Sequence, residues 1–477
     1  MLSFNTMKHL VAKLPLDIFK EIAESYHCKL YLTGGSVRDL LLNREIKDWD
    51  ITSSGDIKKI ADAFSKKVKG KLIILDEVFQ TYRIIKRGTI FDFTLLRGDG
   101  ILEDLRNRDY TINALAIDLL NPVSIIDPLG GVSDLKRRCI HLISPSALCS
   151  DPLRILRAFR IAAELNFSID EYTISSIKEY IQLLSCVAKE RIRQELDLLF
   201  STSKVSYWLS QMGDLGIFKV ILPEIEALKG ITQDGFHHLD VYEHSLLTLA
   251  YMEEILDNPA RFFSHHLDII RDYLKGSKHD FYLKWAALCH DIGKPACKGK
   301  KGSRITFYRH DQVGARIFSN MVDRLRFSKK DKEAIALLIL NHMRPFYLLK
   351  VYKDGSLSTL AVHRLIRAAG PHTIGIFLLA MADSLASAGE EKPKDYEEHL
   401  KALFNHVMDV YKSYLRIKER PRLVTGHDIR EWFNLPPCPK VGILLRELER
   451  AQISGEVSTR EEARAWLERK FKDIVLL

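Results

Sequence analysis

Asp48 and Asp50 flank Trp49 in a short DWD run. Residues two apart on a strand share a face, so a β-conformation here places two carboxylates side by side. Two hard oxygen ligands in that arrangement suit Mg²⁺. Such a site supports an in-line displacement at phosphorus, with a hydroxyl deprotonated on one side and pyrophosphate leaving on the other. Upstream, LTGGSVRD ends a strand in Gly34 and Gly35 and opens a helix. Its backbone amides can approach a triphosphate there, with Arg38 adding positive charge. Asp92, in TIFDFTLL, reads either as a third carboxylate on a neighbouring strand, aligned with an attacking hydroxyl, or as an edge-strand residue facing water.

Two further runs add donors and acceptors. In EDLRNRDYTINALA, Arg108 and Asp109 precede a helix start and Asn113 follows one turn later, which makes Arg108 a candidate phosphate ligand. In DPLRILRAFR, Asp151 suits an N-cap and Pro152 a first turn, while Arg154, Arg157 and Arg160 recur every three residues. A carboxylate that accepts from an exocyclic amine, next to a guanidinium that donates to a ring nitrogen, matches the Watson–Crick edge of cytosine or adenine and opposes that of guanine or uracil. A capped basic helix with solvated arginines reads the same from these ten positions.

The second half carries a different donor set: His244 in DVYEHSLL, His290-Asp291 in WAALCHDIGKP and Asp383 in FLLAMADSLAS, each in an apolar helical setting where an ionisable group needs a partner. Imidazole with carboxylate suits a divalent metal that activates water against a phosphoester. His310 and His342 lie between them and rank below the four, as additional ligands or as helix caps. His237 and His238 read as part of the domain entrance rather than the metal, with a ligand role as the alternative.

Positioning these groups requires two kinds of framework. From Lys29 to Asp127, β-rich runs (KLYLTGG, KLIILDEV, YRIIKRGTIFDFTLL, ALAIDLL) alternate with helical stretches, which predicts a small mixed α/β domain. From Ser144 onward the periodicity is almost entirely helical, with joints expected at the DPLGG turn, near 230–240 and at GEEKPKD. A chain of 477 residues exceeds one hydrophobic core. Its formal charge of +9 favours a polyanionic partner. The seven cysteines form no CxxC pair, which argues against a disulfide framework or zinc knuckle and for a reducing, cytoplasmic setting. No apolar run approaches the roughly 20 residues of a membrane span, and no signal-peptide core opens the chain.

In order, GGSVRD, DWD, EDLRNRDYTINALA, DPLRILRAFRIAAEL and KERIRQEL resemble the successive motifs of the class II tRNA nucleotidyltransferase and poly(A) polymerase family, with a weaker likeness from 423 to 467. The His, His-Asp, Asp series is similar to the HD phosphohydrolase pattern. The resemblance implies a polymerase-β-like head (1–143), a helical neck that templates the nucleotide and binds RNA (144–228), an HD domain (229–395) and a helical tRNA-binding tail (396–477). It assigns Asp48 and Asp50 to the catalytic metals; Asp92 joins them as a catalytic candidate on its strand position alone. By the same resemblance Gly35 and Arg38 fall to the triphosphate, and Arg108, Asp151, Arg154, Arg157 and Arg160 to the incoming nucleotide; Gly34, Asp109 and Asn113 are nucleotide-binding candidates from their own motifs. The implied activity is Mg²⁺-dependent transfer of CMP or AMP from CTP or ATP to a tRNA 3′ end. Poly(A) synthesis, or a phosphohydrolase whose first half grips RNA, are the alternatives. Two departures stand out: Ser150 where CCA-adding members usually carry glutamate, and a short 92–108 stretch similar to members that add only CC or have other partial activities. Arg416, Lys418, Arg420 and Arg422 are the expected tRNA-facing charges.

Overall fold

The structure is a computed structural model that describes residues 14–475 apart from 47, 78, 79, 234, 277, 303, 420–422 and 455. The chain divides into two compact units, Met1–Ser203 with Gln211–Ile221, and Lys204–Ser210 with Leu222–Leu477.

The first unit is built on a mixed sheet. Its strands are β1 (Leu30–Thr33), β2 (Asp48–Ser53), β3 (Lys71–Asp76), β4 (Thr81–Lys86), β5 (Thr89–Leu95), β6 (Ala116–Asp118) and β7 (Ile125–Ile126), in the order β3-β4-β5-β2-β1-β6-β7. The run YRIIKRGTIFDFTLL, which reads as one β-rich stretch, is a hairpin. Arg87 (φ 48°) and Gly88 (φ 85°) both take left-handed backbone between β4 and β5, the twist that matches paired strands. Helices α1 (Leu16–Tyr26) and α2 (Gly35–Leu41) bracket β1, and α3 (Ile57–Val68) crosses from β2 to β3.

Strand alternation decides which face carries chemistry. Phe91 and Phe93 of β5 pack on Phe64 of α3, which stacks on Phe19 of α1 at 4.9 Å. Trp49 and Ile51 of β2 are in register with them and are also buried. Burial of these four side chains on the helix-covered face sends Asp48, Asp50, Asp92 and Thr94 to the other one. The unit continues into α4 (Arg154–Leu165) and α5 (Lys189–Phe200), which pack together.

The regular part of α4 begins two residues later than Pro152 suggests. Asp151 is extended (φ −148°, ψ 94°) and ends the preceding turn, Ser146–Ser150, and the N–H of Leu153 donates to its carboxylate at 3.3 Å.

The second unit is helical. Its core comprises α6 (Val241–Asp257), α7 (His279–Cys289), α8 (His310–Arg324), α9 (Lys329–Asn341), α10 (His372–Ala386) and α11 (Tyr396–Glu419). Helix α10 is buried along nearly its whole length. The hairpin Gly299–Lys301/Arg304–Thr306 interrupts the helices, and a separate apolar cluster from Val424 to Leu467 closes the C-terminal part. Among the described residues one helical run, Lys329–Lys353, is long and apolar enough by composition to span a membrane, contrary to the sequence expectation. It contains Asp331, which accepts from Tyr282 and Lys278, and His342 of the histidine cluster, and it packs on α7, α8 and α10.

Candidate active site

A cleft of about 380 Å³ opens on the carboxylate-bearing side of the sheet. It is lined by Gly34, Gly35, Asp50, Arg108, Asp109, Asn113, Asp151, Arg154 and Arg157, residues spread over more than a hundred positions of sequence. Gly34 is required there. It turns from β1 into α2 at φ 69°, and a Cβ on it would sit 2.7 Å from an Arg108 guanidinium nitrogen.

Asp50 is the innermost acid. Its carboxylate accepts from Ser36 Oγ at 3.2 Å, and the same hydroxyl receives the Asp50 N–H at 2.7 Å, pinning β2 to α2. Burial pushes the Asp50 carboxyl up, Arg108 only partly offsets this, and Asp92 adds to the rise. Asp50 and Asp92 are paired in register across the parallel β2–β5 ladder, and Asp48 is exposed at the strand start. The oxygens of Asp48, Asp50 and Asp92 do not gather within 4.8 Å of one another. Both oxygens of Asp92 are instead taken by Arg83 of β4, whose Nε and Nη2 donate at 2.8 and 2.7 Å.

The remaining residues separate into those facing the cleft and those holding it. Asp109 is held ionised: burial pushes it up, but Arg157 at 2.8 Å, Asn113 and the Tyr110 N–H bring it below the ordinary carboxylate range. Arg154 donates to the carbonyls of Asn107, Arg108 and Ala147, fastening α4 to the preceding loops. Two expected nucleotide ligands lie off the cleft lining. Arg38 is buried on Asp39 and Asn113. Arg160 donates to Glu195 at 2.6 Å and Glu164 at 3.0 Å, clamping α4 to α5. Three-residue spacing turns about 300° per step, so Arg160 has rotated about 120° from Arg154.

Residue type alone did not single out two of the groups here, Arg83 and Arg191. Arg191 of α5 donates to both Asp151 oxygens, at 3.2 and 2.8 Å. Arg191 stands inside the KERIRQEL motif, the one sequence signal that pointed to it. Ser150 turns its hydroxyl to the Ala147 carbonyl at 2.9 Å.

The second unit has its own cleft, about 540 Å³, with Asp291, His310 and Asp383 in its wall. His244 Nε2 lies 3.1 Å from Asp383 Oδ1, and His290 Nε2 lies 3.2 Å from Asp291 Oδ2. Asp291 Oδ1 faces His310 at 3.3 Å and His342 at 3.8 Å, so this carboxylate bridges two ligand groups. His237 falls within ligand distance of His244 and Asp383, the arrangement that its alternative role as a ligand requires.

The histidine geometry fits a divalent cation. Nδ1 of His290, His310 and His342 lies 2.9, 2.8 and 2.7 Å from the carbonyls of Ala287, Phe307 and Ile339, so each carries its proton there and aims Nε2 inward. Nε2 of His310 and His342 then face each other at 3.1 Å with lone pair toward lone pair, and the buried Nε2 of His290 faces the Asp291 carboxylate. Burial lowers His342 to about 3 and His244 to about 4, which leaves both neutral and able to ligate. His290 is raised to about 8, the pull of Asp291 and Asp383 outweighing burial.

Comparison with known proteins identifies the families that the two halves of the chain match. The Poly A polymerase head domain matches residues 30–101 and 96–141, the HD domain residues 241–387, and a tRNA nucleotidyltransferase domain residues 372–466. The chain is 31% identical to an A-adding tRNA nucleotidyltransferase of Deinococcus radiodurans, over 92% of this chain and 94% of that one. The chain belongs to the tRNA nucleotidyltransferase and poly(A) polymerase family. A CC-adding member from Thermus thermophilus is 30% identical over 91% of this chain and 92% of its own. In fold, the chain follows a Thermotoga maritima CCA-adding enzyme complexed with tRNA (TM-score 0.65, 20% identity, 98% of this chain and 99% of that one). It is an enzyme of the transferase class, with a polymerase-β-like head and a helical remainder that contains an HD domain.

Proposed function

We propose that the chain transfers CMP or AMP from CTP or ATP to the 3′ end of tRNA. The 3′ hydroxyl oxygen attacks the α-phosphorus, and the bond to the bridging oxygen of the departing pyrophosphate breaks. The observation that carries this is the convergence of Gly34, Asp50, Arg108, Asp109, Asp151, Arg154 and Arg157 on one cleft. The Gly34–Gly35 turn gives the triphosphate its backbone approach, and Arg108 supplies the charge above it. Asp48 and Asp50 would hold Mg²⁺, which would lower the pKa of the attacking hydroxyl and neutralise the leaving group. Asp151 and Arg154 present acceptor and donor to the base edge, so no nucleic-acid template is needed. Arg191 grips both Asp151 oxygens and so orients the carboxylate for that reading.

The connection between Leu95 and Ile101 is short and carries Arg97, whose N–H donates to Asp104 at 3.1 Å. This favours the CC part of the reaction, in line with the CC-adding relative. The four-part division stands as our proposal: head 1–143, neck 144–228, HD domain 229–395 and tail 396–477. Of the four expected tRNA-facing cations, Arg416 is exposed; Arg420, Arg422 and the side chain of Lys418 lie outside the described residues. Seven free cysteines accord with a cytoplasmic setting.

The test is extension of tRNA transcripts ending at the discriminator base, at C or at CC, each with CTP, ATP or both. Arrest at CC supports the sharper reading, a further single A makes it a complete enzyme, A only on CC makes it an A-adding partner, and long A ladders overturn it in favour of poly(A) synthesis. The HD cleft is proposed to hold a divalent metal on His244, His290, Asp291 and Asp383, with His310 and His342 completing a second position, and to hydrolyse phosphoesters.

A further inference from the structure

Arg83 sits outside every motif that announces the family, yet it is the residue bonded to the third carboxylate. On β4 it shares a face with Thr81, and on β5 Asp92 shares that face with Thr94; both threonines line the nucleotide cleft. The Arg83 side chain keeps 32% of its surface exposed. Among the described residues only Nε and Nη2 of the guanidinium are engaged, both on Asp92, and Nη1 has no hydrogen-bond partner. Asp48 and Asp50 also raise its basicity, behind Asp92, so its field reaches the whole acidic row.

Strand order gives this arrangement a direction. Across the face the sheet runs β4, β5, β2, β1, that is Arg83, then Asp92, then Asp48 and Asp50, then the glycine turn. In an in-line displacement the attacking and leaving oxygens lie on opposite sides of the reacting phosphorus. With the pyrophosphate over the Gly34–Gly35 turn, the attacking hydroxyl must arrive from the β5–β4 side. A cation stationed there faces an RNA strand whose nearest charge is its last phosphodiester.

We propose that Arg83 is the positioning residue for the primer end: Nε and Nη2 hold Asp92 toward the attacking hydroxyl, and Nη1 donates to the terminal phosphodiester of the RNA. The assignment rests on the nucleotidyltransferase reading above. It separates two groups of arginines, with Arg108 and Arg157 serving the nucleotide and Arg83 serving the strand being extended.

The experiment is steady-state kinetics of the full-length protein with Mg²⁺, CTP and a tRNA transcript ending at the discriminator base, for wild type, Arg83→Ala, Arg83→Gln and Arg83→Lys. Equilibrium tRNA binding and thermal unfolding are measured on each. Loss of charged hydrogen bonds to strand and carboxylate predicts that Arg83→Ala lowers kcat/KM for tRNA by about 10- to 100-fold, while KM for CTP stays within about twofold. Arg83→Lys restores tRNA binding but not kcat, because an ammonium cannot grip both Asp92 oxygens in the guanidinium's fixed geometry. Unchanged tRNA parameters in folded Arg83→Ala and Arg83→Gln, or a rise in the KM for CTP as large as that for tRNA, overturn the assignment. Wild type that extends none of the transcripts ending at the discriminator base, at C or at CC, with either CTP or ATP refutes the parent reading instead, and this assignment with it; a wild type that adds only A to CC has the same four proteins compared on that transcript with ATP.

Discussion

Arg191 of α5 closes on both oxygens of Asp151, which stands at the entrance to α4 in the nucleotide cleft. The pair is half exposed on the arginine side, so its value lies in orientation more than in stability. A carboxylate gripped at both oxygens keeps lone pairs free in fixed directions, which is what reading an exocyclic amine demands. Arg191→Ala is therefore expected to lower discrimination between CTP and UTP by roughly tenfold or more, about the worth of one well-placed hydrogen bond. Ratios of kcat/KM for the four nucleoside triphosphates measure it, and an unchanged ratio refutes it.

Arg160 makes the opposite prediction. Its guanidinium joins Glu195 and Glu164, away from the cleft lining. Arg160→Ala leaves Glu195 largely buried without its cation, at a cost of about 1–3 kcal/mol. In a unit of this size that corresponds to a drop of a few degrees in Tm. KM for CTP is expected to stay within about twofold of wild type, and a tenfold rise would return Arg160 to the nucleotide.

What the sequence disclosed follows from how local each signal is. The FDF and DWD runs encode their faces directly, since apolar residues alternate with acids, and β2 and β5 place Asp50 and Asp92 accordingly. His244, His290, Asp291 and Asp383 were legible because ionisable groups in apolar helices need one another. Partner choice was not legible. Asp92 pairs with Arg83 through hairpin register, and Asp151 pairs with Arg191 through the packing of α4 on α5. Neither contact leaves a spacing in the chain. Three-residue spacing likewise grouped Arg160 with Arg154, although a helix turns the two apart.

Asp291 bridges the two ligand groups of the HD cluster, so its replacement should act on both. Asp291→Ala is expected to remove all bound divalent metal and all phosphoester hydrolysis, whereas His310→Ala with His342→Ala removes the second position only. Metal content by mass spectrometry of protein purified without chelator is the measurement, with nucleotide addition to tRNA as the control that should not change. Because metal binds the folded state, chelation should also lower the Tm of the second unit. Full metal retention in Asp291→Ala would discard the bridging arrangement.

His372 supplies a pH dependence away from both clefts. Its Nδ1 lies 3.0 Å from the Tyr273 hydroxyl, and burial, aided by His279, lowers its pKa from the ordinary 6.5 to about 4. The folded state thus binds fewer protons than the unfolded chain between those values. A lowered histidine pKa makes stability rise with pH across this window, from about 4 to about 6.5, and become independent of His372 above it. His372→Gln, which keeps a polar partner for Tyr273 and cannot titrate, should be less acid-sensitive than wild type. The difference in denaturant midpoint between the two should move in the variant's favour as the pH falls from 7 to 4.5. Parallel midpoints at every pH would show that His372 titrates alike in the folded and unfolded chains.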